Sequence, residues 1–187
     1  MTVSSGQTYL AIPGPSVIPE EVLRSMHRAA PNIYEGDLIE TTESLIPDLN
    51  YVAQSSGNVA IYIANGHGIW EAALSNIVTA NDHILVVATG RFAHGWADMA
   101  RKIGVNVDIL DFGRNRALDI EVLAKKLKSE AKTKYKAILM THVDTSTSIK
   151  NDISSIKKKL EEIDCSALLA VDCIASLACD KFEMDEW

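Results

Sequence analysis

ALLAVDCIASL, residues 167–177, is a short apolar run that ends on an aspartate, Asp172. An apolar run of this length without polar alternation reads as a strand buried on both faces of a parallel sheet. Four comparable runs precede it, at Val59–Ile63, Ile84–Ala88, Val105–Leu110 and Ala137–Met140. Between them lie apolar stripes at helical spacing. Phe92, Trp96, Met99, Ala100 and Ile103 form one. Ile120, Leu123, Leu127 and Ala131 form a second, opened by Asp119 as cap, and Ile153, Ile156, Leu160 and Ile163 a third, opened by Asp152. Alternation of strand and helix predicts an α/β fold with a doubly wound, mostly parallel sheet. In such a sheet ligands gather at the carboxyl ends of the strands, where Asp172 stands.

Toward the N-terminus the pattern changes. Pro13, Pro15 and Pro19 make residues 1–18 an extended arm. Pro19 opens a short helix, EEVLRSMHRA, and a second helix is expected from Asp37 towards Gln54, kinked or broken at Pro47. Residues 19–187 read as one domain, since 187 residues with 47% hydrophobic and 23% charged side chains suit a single globular core. The net charge of −7 argues against a nucleic-acid surface. The lysines at 125, 126 and 128 and at 157–159 share helical patterns with glutamates, as on a solvated helix face. Cys165, Cys173 and Cys179 form no CxxC pair and leave an odd thiol, which fits reduced cysteines in a cytoplasmic protein. No leader pattern or membrane-length apolar run occurs, so no membrane partner is expected.

Four clusters at strand ends could carry chemistry. Asn65-Gly66-His67-Gly68 opens a helix, and its glycines and free amides suit a single phosphate. Glu71 stands where a dinucleotide fingerprint needs its third glycine, and a tight turn without a ligand is the alternative. Gly90-Arg91-Phe92 could offer an aromatic to a flat ring, or simply begin a core stripe. Residues 141–148, THVDTSTS, are dense in hydroxyls that could bond a phenolic oxygen or a substrate. His142 and Asp144 are too few for a metal, and a polar turn capping the next helix is the alternative. Asp172, a charge ending an apolar strand, needs a partner: a protonated pyridine nitrogen, a metal or a backbone nest.

In combination these segments resemble the N-terminal portion of class V, fold-type I enzymes that use pyridoxal phosphate (PLP), nearest to the serine–glyoxylate and alanine–glyoxylate aminotransferases. The resemblance runs from IPGPSVIPEEV through NGHGIWEAALSNI, ATGRFAHGWADMA and THVDTSTS to VDCIASLACDKFEMDEW. It implies that the amides of Gly66 and His67 hold the cofactor phosphate and that Phe92 stacks on one ring face. It further implies Thr145 near the phenolic oxygen, Asp172 on the pyridine nitrogen and Ile174 on the opposite face. Asp144 departs from the family's usual glutamate and Ser148 from its frequent glycine, which bears on substrate choice.

The same resemblance puts the Schiff-base lysine beyond Trp187, with no catalytic residue in this chain and no metal site. The carboxylate-gripping arginine, in a small C-terminal domain, and a partner-subunit loop would complete the site of a homodimer. The last two strands of the sheet would lie between Val59–Ile63 and the Asp172 strand, so residues 1–187 by themselves are not expected to be stably folded. A longer chain, or a C-terminal half on a separate chain, would supply those strands. The expected activity is transfer of an amino group from serine or alanine to glyoxylate or a similar 2-oxo acid. A cysteine desulfurase-like lyase, an inactive fragment needing a partner chain and a nucleotide-binding module are the rival readings.

Overall fold

The computed structural model describes residues 10–129 and 134–187. Ala131, placed above on a helix stripe, and residues 1–9 of the expected arm lie outside them. The chain divides at Pro47 into two compact units.

In the first unit, residues 10–19 form neither helix nor strand, in keeping with their prolines. Helix α1 (Glu20–Met26) follows Pro19, carries Glu20 and Glu21 in its first turn and buries none of its residues. Helix α2 (Asp37–Ala53) begins in this unit and continues through Pro47, where a kink or break was expected.

The second unit holds the sheet. Its elements after α2 are α3 (Gly66–Ile77), β1 (His83–Ala88), α4 (Arg91–Lys102), β2 (Asn106–Asp111), α5 (Ile120–Ser129), β3 (Ala137–Thr141), β4 (Val143–Asp144), β5 (Ile149–Lys150), α6 (Ile153–Glu162) and β6 (Leu168–Asp172). Four strands pair in the order β2-β1-β3-β6, every pairing parallel. Strand order reverses between β1 and β3, which opens a crevice at their carboxyl ends.

Side chains alternate between two cores. Ile84, Val86, Ala88 and Leu139 pack with Trp70 and Leu74 of α3 and Trp96 and Ala100 of α4. Leu85, Val87, Ile138 and Met140 pack with Leu123 of α5 and Ile156 and Leu160 of α6. Both faces are covered, so the strands needed no polar alternation. Each fully buried aliphatic side chain contributes about 1.5–3 kcal/mol. The caps read from sequence are present: Asp119 Oδ1 accepts from the amides of Glu121 and Val122, and Asp152 Oδ1 accepts from the amide of Ser155 at 3.0 Å. Among the described residues, no helix is long and apolar enough to cross a membrane.

The expected strand at Val59–Ile63 does not form. Residues 58–63 carry no strand assignment, and Ile61, Tyr62 and Ile63 are exposed. Apolar β-branched sequence supplies strand propensity, but a strand exists only when a neighbour takes its amides and carbonyls. On the opposite side of the same problem, among the described residues β6 pairs only with β3 and leaves its outer edge open, and Leu168 and Ile174 are exposed beside it.

Open edges and exposed apolar side chains favour association. Residues 1–187 expressed alone are therefore expected to self-associate and to bind an apolar dye, as read by light scattering and dye fluorescence. A monomeric preparation that melts cooperatively and binds no dye would overturn this.

Candidate functional site

The crevice between β1 and β3 is organised by one carboxylate. Asp144 is fully buried. Its Oδ2 accepts from the amides of Phe92 (3.0 Å) and Ala93 (3.4 Å) at the start of α4. Its Oδ1 accepts from the amide (3.0 Å) and hydroxyl (2.6 Å) of Ser146. An acid placed here satisfies first-turn donors of α4 and its positive dipole end. Gly90 makes the approach possible, because a Cβ there would lie 2.4 Å from the Asp144 carboxylate carbon.

Further bonds bind the same loops together. Ser146 Oγ accepts from the Arg91 amide at 2.9 Å, and Thr147 Oγ1 donates to the Thr89 carbonyl at 3.0 Å. The buried Asn151 amide group donates to Thr89 Oγ1 (3.1 Å) and the Thr141 carbonyl (2.9 Å), joining the ends of β1 and β3. Residues 143–150 thus form the tiny antiparallel hairpin β4–β5 rather than a polar turn capping the next helix, and Lys150 lies in β5. Ser148 has φ +58°, a left-handed conformation that glycine adopts without a steric cost. The hydroxyl of Thr145 has no hydrogen-bond partner among the described residues.

Asp172 ends β6 opposite Thr141 of β3 and is half-buried. Oδ2 accepts from the indole Nε1 of Trp70 at 3.0 Å, and Oδ1 accepts from the Ile174 amide at 2.9 Å. A carboxylate offers about four acceptor positions. Among the described residues, donors use all four at Asp144 and two at Asp172.

At the start of α3, Asn65 caps the helix by accepting from the Gly68 amide at 3.1 Å. The amides of Gly66 and His67 precede the first carbonyl able to pair with them inside the helix. A Cβ on Gly68 would meet the Ala64 Cβ at 2.7 Å, so the tight turn into α3 requires glycine there. Gly66, Asp172 and Ile174 line one cleft of about 530 Å³, and His67 and Phe92 line another of about 410 Å³. Trp70 belongs to both linings. Thr145 lines neither cleft, but Asp144 and Ser146 tie its hairpin to the amide of Phe92.

Sequence reasoning missed three of these residues. Trp70 passed as part of the α3 helix pattern, although a buried indole needs an acceptor and Asp172 needed a donor. Asp144 was read through substrate choice, whereas its contacts make it the cap of α4. Asn151 gave no local signal.

Chemically, the two helix-terminal amides can take an anion and the partly satisfied carboxylate a protonated nitrogen, while Phe92 and Ile174 line the two separate clefts. Cys173 lines the cleft beside Asp172. Burial, and then the Asp172 charge, push its thiol above the ordinary cysteine range, so it stays protonated and is a poor nucleophile. Lys150 and Lys181 pair with Asp180 and Glu183, each at 2.7 Å, rather than turning to the cleft.

Residues 8–187 match the family model described as aminotransferase class-V. The chain is 33% identical over 183 residues to the serine–glyoxylate aminotransferase of Arabidopsis thaliana, covering 97% of this chain and 46% of that protein. It is 31% identical over 183 residues to the serine–glyoxylate aminotransferase of Methylorubrum extorquens, with the same shares. The solved structure of ureidoglycine–glyoxylate aminotransferase from Bacillus subtilis superposes with a TM-score of 0.84 at 26% identity, covering 94% of this chain and 44% of that one. The chain therefore spans about half the length of the relatives it matches.

Two outcomes test the site's framework. Asp144→Ala or Gly90→Ala is expected to loosen the start of α4 by about 1–2 kcal/mol, a typical cap loss. Amide hydrogen exchange should then speed up about tenfold at Phe92 and Ala93, and unchanged rates would contradict the capping role. The second concerns His142, which is buried against Phe182 and Trp187 with ring centroids at 5.9 and 5.7 Å. Burial, then the Lys150 charge, hold its pKa below the ordinary 6.5, against the opposing pull of Asp180 and Asp152. The unfolded ring binds a proton more readily than the folded one, so packing here is fully stabilised above pH 6.5 and weakens as pH falls below it. Near-ultraviolet circular dichroism of the Phe182–Trp187 pair should fade across that window, and His142→Phe should hold the signal.

Proposed function

The chain belongs to the aminotransferase class-V family, and we propose that it forms the cofactor-gripping part of an enzyme that moves an amino group from serine or alanine to glyoxylate or a similar 2-oxo acid. The observation that carries this reading is Asp172, a strand-end carboxylate with acceptor capacity left, sharing a cleft with Gly66 at the start of α3. The donors named in the two serine–glyoxylate and alanine–glyoxylate activities are small, which leaves the carboxylates as the groups to be gripped.

Family membership implies PLP as the cofactor. Gly66 and His67 would hold its phosphate through their amides, aided by the α3 dipole. Phe92 and Ile174 would cover the two ring faces, and Thr145 would bond near the phenolic oxygen. Asp172 would keep a proton on the ring nitrogen by pairing with it. Held in this way, PLP supplies an electron-withdrawing ring that accepts the electron pair released at the substrate's Cα. The lysine that binds the cofactor covalently, the arginine that grips the substrate carboxylate and the remaining strands would come from sequence following Trp187 or from a separate chain. Residues 19–187 are on this reading part of a larger cofactor-binding domain, in a homodimeric, cytoplasmic enzyme.

The test begins with the intact mass of the purified protein. PLP is then titrated against tryptophan fluorescence, and glycine formation from glyoxylate is measured with serine and with alanine as donors. Binding and glycine formation are expected once the C-terminal sequence is present. Asp172→Ala should lower turnover on the order of a hundredfold or more, as for loss of a charge-stabilising partner. Absence of PLP binding in a protein as long as its relatives would overturn the reading.

A further inference from the structure

We infer that Trp70 is a positioning residue for Asp172: its indole N–H sets the plane of the carboxylate that is to meet the cofactor's ring nitrogen. This rests on the reading of Asp172 given above and adds a residue to it.

Three observations converge on Trp70. The first is the bond itself. Nε1 donates to Asp172 Oδ2 at 3.0 Å across 102 residues of sequence, while the Ile174 amide holds Oδ1 at 2.9 Å. One donor on each oxygen fixes rotation about Cβ–Cγ, because turning the carboxylate breaks both bonds. It also leaves one acceptor position on each oxygen.

The second is how firmly Trp70 is held. It is 4% exposed, and its ring stacks on Trp96 with centroids 5.7 Å apart and planes at 12°. A donor locked by packing transmits its orientation to the acceptor.

The third is where the ring lies. Trp70 meets Phe92 edge-on (6.2 Å, 74°) and His67 edge-on (4.6 Å, 65°). The indole therefore touches the residue proposed to stack on the cofactor, a residue proposed to bind its phosphate, and the carboxylate proposed for its nitrogen. A shift of any one of these moves against the same rigid ring.

A packing residue and a positioning residue behave differently when the acceptor is removed. Trp70→Phe keeps an aromatic ring and deletes the N–H. On the positioning role it should weaken PLP about tenfold, the scale of a hydrogen bond to a charged group. In an Asp172→Ala background the same substitution should cost less than about twofold, because nothing remains to orient. Equal losses in both backgrounds, or no loss in either, would overturn the inference. A second measurement leaves Trp70 intact. In cofactor-free protein, the Trp70 indole proton resonance should move upfield in Asp172→Ala; an unmoved resonance also overturns it. If unaltered protein containing the C-terminal sequence binds no PLP, the cofactor reading fails first and the inference with it. That outcome is distinct from normal binding with an insensitive Trp70.

Discussion

A buried carboxylate that ends β4, three residues past β3, is the constraint on which the crevice depends. Asp144 stands at the point where strand order reverses, and that is where two loops must be held together across a gap in the sheet. It does this by accepting from α4 with one oxygen and from its own hairpin with the other. The arrangement tolerates no Cβ at Gly90, so glycine and aspartate form one unit. Without it the first turn of α4 would carry unpaired amides inside the protein, and Phe92 would lose the anchor that fixes its backbone.

The fold is held from within by two layers of aliphatic packing, but its sheet stops unevenly. β3 is buried along its length and β1 from Ile84 onward, whereas β2 and β6 are largely half-buried edges. β6 is the edge that matters, because Asp172 ends it. A strand with one paired side keeps its register through β3, so the aspartate is positioned even while the outer edge is open. The exposed apolar stretch at 61–63 is the counterpart of that edge: sequence suited to a strand, with no partner among the described residues.

What the sequence revealed and what it hid follow one physical rule. Strands β1, β3 and β6 were legible as unbroken apolar runs, whereas β2 is interrupted by Asn106 and Asp108. The helix caps Asp119 and Asp152 were legible because a cap and its donors lie within three residues. Val59–Ile63 misled because propensity is local while pairing is not. Trp70, Asp144 and Asn151 were unreadable as site residues for the same reason: their partners lie 102, 52 and 62 positions away, at Asp172, Phe92 and Thr89. Ser148 was noticed only as a departure from glycine, and its positive φ supplies the reason glycine is at home there.

The two strand-end aspartates separate structure from chemistry by counting acceptors. Asp144 and Asp172 end β4 and β6. Asp144 accepts four bonds from protein donors, so a ligand could bind it only by displacing one of them, at the cost of unpairing a helix amide or a serine. Asp172 accepts two and is half-buried, so a cationic nitrogen can add to what is already there. A buried carboxylate that is fully engaged holds the fold; one that is oriented but incompletely engaged is prepared for a partner. On that criterion Asp172 is the strand-end carboxylate with acceptor capacity to spare, and Asp144 is the one that holds the loops around the crevice together.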